Sequence, residues 1–254
     1  MTGIRLDGKR ALITGATKGI GADIAKTFAA AGAALVLSGR DESELAAAAT
    51  ALADEFGVDV ETAAVDLAQS DGPARLAALA VGAFGGLDIL VNNAGISHPQ
   101  PAIDTDPALF DDTITVNLRA PALLAAAVGR AMVEQGSGGS IITVASAAAL
   151  APLSDHYAYC ASKAGLVMAT KVLARELGRY GIRANSVCPT VVLTEMGQRV
   201  WGDEAKAAPM IARIALGRFA VPREVSDTVL WLASDAASMI SGVDVPVDGG
   251  YTMG

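Results

Sequence analysis

Tyr159 and Lys163 stand four residues apart in a stretch with helical periodicity, so their side chains share one helix face. A free tyrosine, with a pKa of about 10, exchanges protons poorly at neutral pH. A neighbouring ammonium favours the phenolate and lowers that pKa, which makes the phenol a workable acid and base. Ser146 closes an apolar run read as a strand, at the end where open α/β sheets bind ligands, and its hydroxyl can hold a substrate oxygen. The three side chains point to proton transfer at that oxygen.

A second constellation, Thr14-Gly15-Ala16-Thr17-Lys18-Gly19-Ile20-Gly21, follows the first apolar run and opens the first amphipathic stretch. Between a strand and a helix, glycines permit a tight turn, close approach to a pyrophosphate, and contact of helix with strand. The helix N-terminus adds free N–H groups and a positive dipole end for phosphates. The spacing, Gly-x-x-x-Gly-x-Gly, differs from the commoner Gly-x-Gly-x-x-Gly. Asp41 lies where a ribose-binding acid is expected, about 20 residues on. It also opens the next helix with Glu42, where carboxylates favour the dipole, and we read it as a cap. The second strand instead closes on Ser38-Gly39-Arg40.

Positioning these groups requires alternating elements. Apolar runs read as strands at Arg10–Thr14, Ala34–Ser38, Asp59–Val65, Leu87–Val91, Gly139–Ala145, Arg183–Val187 and Val243–Val247. Helical patterns lie near Ile20–Ala31, Glu42–Phe56, Gly72–Phe84, Pro107–Glu134, His156–Tyr180 and Arg223–Ala233. That alternation predicts an α/β fold with a doubly wound, parallel, seven-stranded sheet covered by helices on both faces. No linker divides the 254 residues, so one domain, 1–254, is expected. Its least regular part, residues 190–217, is read as a substrate lid.

Composition narrows the partners. The net charge of −8 and a pI of 4.7 repel phosphate backbones, so no nucleic-acid partner is expected. The longest uncharged stretch, Gln135–Ser154, is broken by Gly136, Gly138, Gly139 and Pro152 and makes a poor membrane span. Cys160 and Cys188 form no disulfide framework, although one bridge stays open; with His98 and His156 they offer no metal-ligand spacing. A soluble cytoplasmic protein without a metal is expected.

These motifs, with Asp66-Leu67, Asn92-Asn93-Ala94-Gly95, Asn117, the thirteen-residue step from Ser146 to Tyr159, and the ending Val245-Pro-Val-Asp-Gly-Gly250, occur in an order that resembles the short-chain dehydrogenase/reductase family over essentially the whole chain. The resemblance implies a Rossmann sheet of order 3-2-1-4-5-6-7 and hydride exchange between a nicotinamide cofactor and a carbonyl or alcohol. Tyr159 would be the proton donor and acceptor. Lys163 would lower its pKa and hold the nicotinamide ribose, Ser146 would orient the carbonyl, and Asn117 would position a relay water. Gly15, Thr17, Gly19, Ile20 and Gly21 would hold the pyrophosphate, and Lys18 would supply a second cation to a 2′-phosphate. Asp66 and Leu67 would meet the adenine, Asn93, Ala94 and Gly95 the adenosine ribose, and Pro189, Val192 and Thr194 the carboxamide and pyrophosphate. Glycine at position 39, followed by Arg40 and with Lys18 nearby, implies NADP(H) over NAD(H), which stays possible.

Thr190, where the family usually has glycine, together with Val191–Gln198, Trp201, His156 and Cys160, resembles the L-xylulose (dicarbonyl) and tetrameric carbonyl reductases. That branch implies a small polar ketone as substrate, a homotetramer, and a pocket formed by Ser146, His156, Tyr159, Thr190 and Trp201. Alanine stripes (Ala125, Ala126, Ala127; Ala161, Ala164) on two long helices would permit close approach of subunits. Two alternatives share the motifs: a 3-oxoacyl-thioester (acyl carrier protein) reductase, and a catalytically idle nucleotide-sensing protein.

Overall fold

A computed structural model describes residues 3–253, apart from the side chains of residues 196, 199, 200 and 206. Seven strands form one parallel sheet: β1 (Arg10–Thr14), β2 (Ala34–Gly39), β3 (Val60–Ala64), β4 (Ile89–Asn92), β5 (Gly139–Val144), β6 (Ile182–Pro189) and β7 (Asp244–Val247). The order is β3-β2-β1-β4-β5-β6-β7, as expected. The helices are α1 (Gly19–Ala30), α2 (Glu42–Phe56), α3 (Gly72–Phe84), α4 (Pro107–Ile114), α5 (Ala120–Gln135), α6 (Tyr157–Leu177), α7 (Glu195–Trp201), α8 (Glu204–Ile211) and α9 (Pro222–Ala233).

Strand β1 shows why the runs are apolar throughout. Ala11 and Ile13 enter one core with Ile24 and Phe28 of α1 and Val225 and Val229 of α9. Leu12, pointing the other way, enters a second core with Leu76 of α3 and Leu124 and Val128 of α5. Successive strand residues face opposite sides, so a strand covered on both faces must be apolar at every position. Register then aligns the C-terminal strand ends: Thr14 pairs with Ser38, Asn92 with Thr143, and Val144 with Val187. The chain diverges between β1 and β4, where α/β sheets leave their ligand crevice.

The helix expected over Pro107–Glu134 divides, and this corrects the sequence reading. A π turn, Thr115–Arg119, separates α4 from α5, and the Ala120 N–H reaches back to the Thr115 carbonyl. Pro121 has no N–H, so one carbonyl of this turn lacks an intrahelical donor. Pro121 was the available signal. The span Pro107–Gln135 is long and apolar enough to cross a bilayer, but nearly half of its most apolar window is buried inside the fold. Cys160 and Cys188 are free thiols.

Candidate active site

The glycine loop is shaped by what surrounds it. Gly15 adopts φ +64°, and a Cβ there would lie 3.1 Å from both the Ala94 Cα and the Asn93 Nδ2. A Cβ on Gly21 would collide with the Gly15 carbonyl oxygen, so neither position admits a side chain without a shift. Asn93 locks the loop to β4 by donating from Nδ2 to the carbonyls of Thr14 (3.0 Å) and Gly15 (3.2 Å). The Thr14 hydroxyl accepts from the amides of Asn93 (2.9 Å) and Ala94 (3.0 Å). The Asn93 side chain thus braces the loop, and its carry-over to ribose contact is left to the neighbouring backbone.

Helix α1 is built for an anion. Lys18 precedes it in extended conformation without a side-chain cap, and its first turn carries no acid. In α2, α4 and α8 an aspartate fills that role: Asp41, Asp106 and Asp203 accept from backbone amides. The first amides of α1 are therefore left for a phosphate, with the dipole favouring it. This uncapped end, beside a loop that cannot hold a Cβ, fits the pyrophosphate of a dinucleotide.

At the adenosine end, Asp41 is the α2 cap, accepting from Ser43 (2.9 Å) and Glu44 (3.0 Å). Gly39 has room for a Cβ, with nothing closer than 3.5 Å. The absent acid is thus a choice of side chain rather than a demand of the backbone. Arg40 is exposed, with no hydrogen bond or ion pair among the described residues. Lys18 is paired with Glu44 at 3.3 Å on the surface, an exposed contact that holds it only weakly. Asp66 accepts from the Ala68 amide at 3.0 Å, and Leu67 is buried.

The candidate catalytic strip runs across the ends of β5 and α6. Burial pushes the Tyr159 phenol up, and a hydrogen bond with Ser146 opposes the rise. Ser146 also caps a short turn, accepting from the Ala148 amide at 3.1 Å. The Lys163 Nζ lies 5.7 Å from the Tyr159 ring centre and donates to the Val144 carbonyl at 3.1 Å. Burial pulls its pKa from 10.5 down to about 8. Asn117, fully buried in the π turn, grips Ile96 from both sides: its Oδ1 accepts from the Ile96 amide and its Nδ2 donates to the Ile96 carbonyl, each at 2.8 Å. A Cβ on Gly95 would sit 3.2 Å from the Asn117 Oδ1 and 3.5 Å from the Lys163 Nζ, so the bare Gly95 leaves both groups facing one space.

The proposed pocket residues are only partly gathered. The His156 ring stands edge-on to Tyr159 at 6.0 Å. Its Nδ1 lies 2.8 Å from the Ser154 carbonyl, which only accepts, so Nδ1 carries a proton and Nε2 is left for a ligand. Trp201 packs on Phe219 at 5.7 Å, in a small cluster with Ala147, Ile214 and Tyr251. Thr190, by contrast, lines a cavity of about 250 Å³ between β7 and α9. Neither Ser146, His156, Tyr159 nor Trp201 borders that cavity. The segment expected as a lid folds into α7 and α8. Its neck is tied where the Leu193 amide donates to Ala220 (2.8 Å) and the Ala220 amide to Val191 (3.1 Å). Thr194 caps α7 at 3.0 Å and abuts the glycine loop, its methyl 3.3 Å from where a Gly19 Cβ would lie.

Two features had no signal in the sequence. One is Ser162, whose hydroxyl meets Asn117. The other is the clasp between the loops facing the site, where the Gln100 amide donates to the Asp155 carbonyl at 2.7 Å and Asp155 is left-handed.

Comparison with known proteins agrees with this geometry. The family model described as enoyl-(acyl carrier protein) reductase matches residues 15–252. L-xylulose reductase of Bos taurus is 44% identical over 248 residues, covering 98% of each chain. D-threitol dehydrogenase of Mycolicibacterium smegmatis is 43% identical over 249 residues, covering 98% of this chain and 95% of its own. A short-chain type dehydrogenase/reductase from Mycobacterium marinum superposes with a TM-score of 0.91 at 38% identity, covering 99% of this chain and 98% of the other. A gluconate 5-dehydrogenase from Burkholderia cenocepacia, solved with NADP and tartrate, gives 0.93 at 34% identity with the same coverage. With a crevice built for a dinucleotide and a serine, tyrosine and lysine gathered beside it, the chain belongs to the short-chain dehydrogenase/reductase family of oxidoreductases.

Proposed function

We propose that the chain is an NADP-preferring oxidoreductase that interconverts a small polar ketone, such as a ketose or dicarbonyl, with its secondary alcohol. The observation that carries this reading is the convergence of Ser146, Tyr159 and Lys163 beside an uncapped helix N-terminus. A bound nicotinamide would supply or take the hydride. Ser146 orients the substrate oxygen, and the Tyr159 phenol gives it a proton in the reductive direction. The buried Lys163, still mostly charged below pH 8, faces the ring and steadies the phenolate that results. Asn117 positions a water in the space kept open by Gly95, through which the proton is replaced. Gly15, Thr17, Gly19, Ile20 and Gly21 would hold the pyrophosphate, and Arg40, with Lys18, would take the 2′-phosphate.

The substrate class is supported by relatives that bear the names of L-xylulose and D-threitol enzymes, and the cofactor by a structural neighbour solved with NADP. The family model's own label, naming a carrier-protein reductase, favours a second reading as a 3-oxoacyl-thioester reductase. A panel of ketoses, α-dicarbonyls, cyclic ketones and acetoacetyl thioesters, assayed by NADPH consumption, separates the two. Turnover of ketoses or dicarbonyls supports the first, and turnover of thioesters alone replaces it with the second. NADPH binding without turnover of any member indicates a nucleotide sensor.

The same reading makes the protein a cytoplasmic homotetramer with the segment at residues 190–217 as substrate lid. Leu123 on α5 and Met168 and Val172 on α6 are exposed, as are Ala126, Ala161 and Ala164. An apolar face of that kind, with small residues between, suits helix packing between subunits. Ala125 belongs to the chain's own core. A monomeric mass by light scattering at micromolar concentration rejects the assembly.

A further inference from the structure

We infer that Ser162 is a positioning residue that holds the Asn117 carboxamide in register with Tyr159, so that the relay water and the phenol stay aligned. This rests on the relay role proposed for Asn117. Ser162 is fully buried, between Tyr159 and Lys163 on α6. Its hydroxyl donates to the Tyr159 carbonyl at 2.7 Å, which commits its single hydrogen. The hydroxyl oxygen is then an acceptor, and the Asn117 Nδ2 approaches it at 3.3 Å. The other Nδ2 hydrogen goes to the Ile96 carbonyl, and the Oδ1 takes the Ile96 amide.

These bonds fix which way the carboxamide points. Flipped, it would set its oxygen against the Ile96 carbonyl and its nitrogen against the Ile96 N–H, losing both bonds in a buried site. Ile96 therefore sets the plane and the sense of the amide, but it belongs to a loop. Ser162 alone among the described residues ties that amide to the helix that carries Tyr159 and Lys163. The chain Ile96–Asn117–Ser162–Tyr159 carbonyl thus spans the loop after β4, the π turn and α6. Ser162 is too deeply buried to reach a substrate itself, so its effect passes through Asn117.

The test is a double-mutant cycle of Ser162→Ala and Asn117→Ala, with kcat, its pH profile, NADPH affinity by fluorescence titration, and Tm. Ser162→Ala is expected to lower kcat about 3- to 10-fold, the scale of one hydrogen bond, with NADPH affinity within about twofold. In the Asn117→Ala background the same change should have almost no further effect on kcat, because residues acting through one another are non-additive. Ser162→Cys, which keeps a weak acceptor of similar size, should restore part of the loss and preserve folding if the alanine variant is unstable. Fully additive effects, or a Tm loss with unchanged kcat, overturn the inference while leaving the relay role standing. An Asn117→Ala enzyme with full kcat overturns both.

Discussion

The glycine loop and the segment after β6 touch, Gly19 beside Thr194, yet they are held by different means. In the loop, residue type is imposed by collisions: a Cβ on Gly21 would strike the Gly15 carbonyl, and Asn93 bolts the turn to β4. Beneath it lies the larger core, from Ile13 and Ile24 to Phe28 and Val229. Helices α7 and α8 rest on a small satellite cluster, Ala147, Ala207, Met210, Ile214, Phe219 and Tyr251, closed off by a neck at Val191–Leu193. Many side chains would fill such a cluster. A phosphate turn needs a fixed cradle, whereas a pair of short helices needs only apolar support.

Perturbing each region sharpens the contrast. Tyr159→Phe removes the proton donor from the strip and should cost roughly two to four decades of kcat while NADPH still binds, by stopped-flow and fluorescence titration. Gly21→Ala strikes the rigid side. Its added methyl should displace the loop and weaken NADPH by about 3 kcal/mol, or more than a hundredfold, in a fluorescence titration.

Arg40→Ala should weaken NADPH by roughly 1.5–3 kcal/mol, the scale of a hydrogen bond to a charged group, and spare NADH. Gly39→Asp, which meets only ordinary contacts at its Cβ, should reverse the preference. Equal kcat/KM for the two cofactors in the parent enzyme overturns the assignment.

Lys163→Met should abolish turnover yet raise stability at pH 7. Burial moves the lysine from 10.5 to about 8, so the unfolded chain binds the proton more firmly. The buried ammonium is therefore destabilising below pH 8, by about 3 kcal/mol, and the deficit closes as pH rises to 10.5. Losing the bond to Val144 offsets about 1 kcal/mol, leaving a net gain for the variant of about 2. Chemical denaturation of both proteins at pH 7 and 10 should show that gain shrinking. The smallest effect belongs to the segment after β6: Ile214→Val should cost about 0.5–1.5 kcal/mol of stability and, if that segment is the proposed lid, change substrate KM more than NADPH affinity.

The sheet was legible because a strand buried on both faces must be apolar throughout, as Ala11–Leu12–Ile13 is. The α2 cap was legible because Asp41 acts on amides two and three residues away. Periodicity carried one helix through Pro107–Glu134 too far. The π turn sits just before Pro121, which lacks a donor, and its Asn117 meets Ile96 of the loop after β4. Likewise, nothing local in the sequence showed that Thr190 lines a cavity between β7 and α9.

By itself, the sequence determined what is local or forced: the strand and helix periods, the cap, and the glycines that a phosphate turn requires. The tertiary structure decided which distant groups meet. Asn117 and Ser162, forty-five residues apart in the chain, share a hydrogen bond, and Lys18 meets Glu44, twenty-six residues on. Backbone preferences act over a few residues and leave their mark in residue type. A hydrogen bond between buried side chains depends on where whole elements pack, and no local pattern records it.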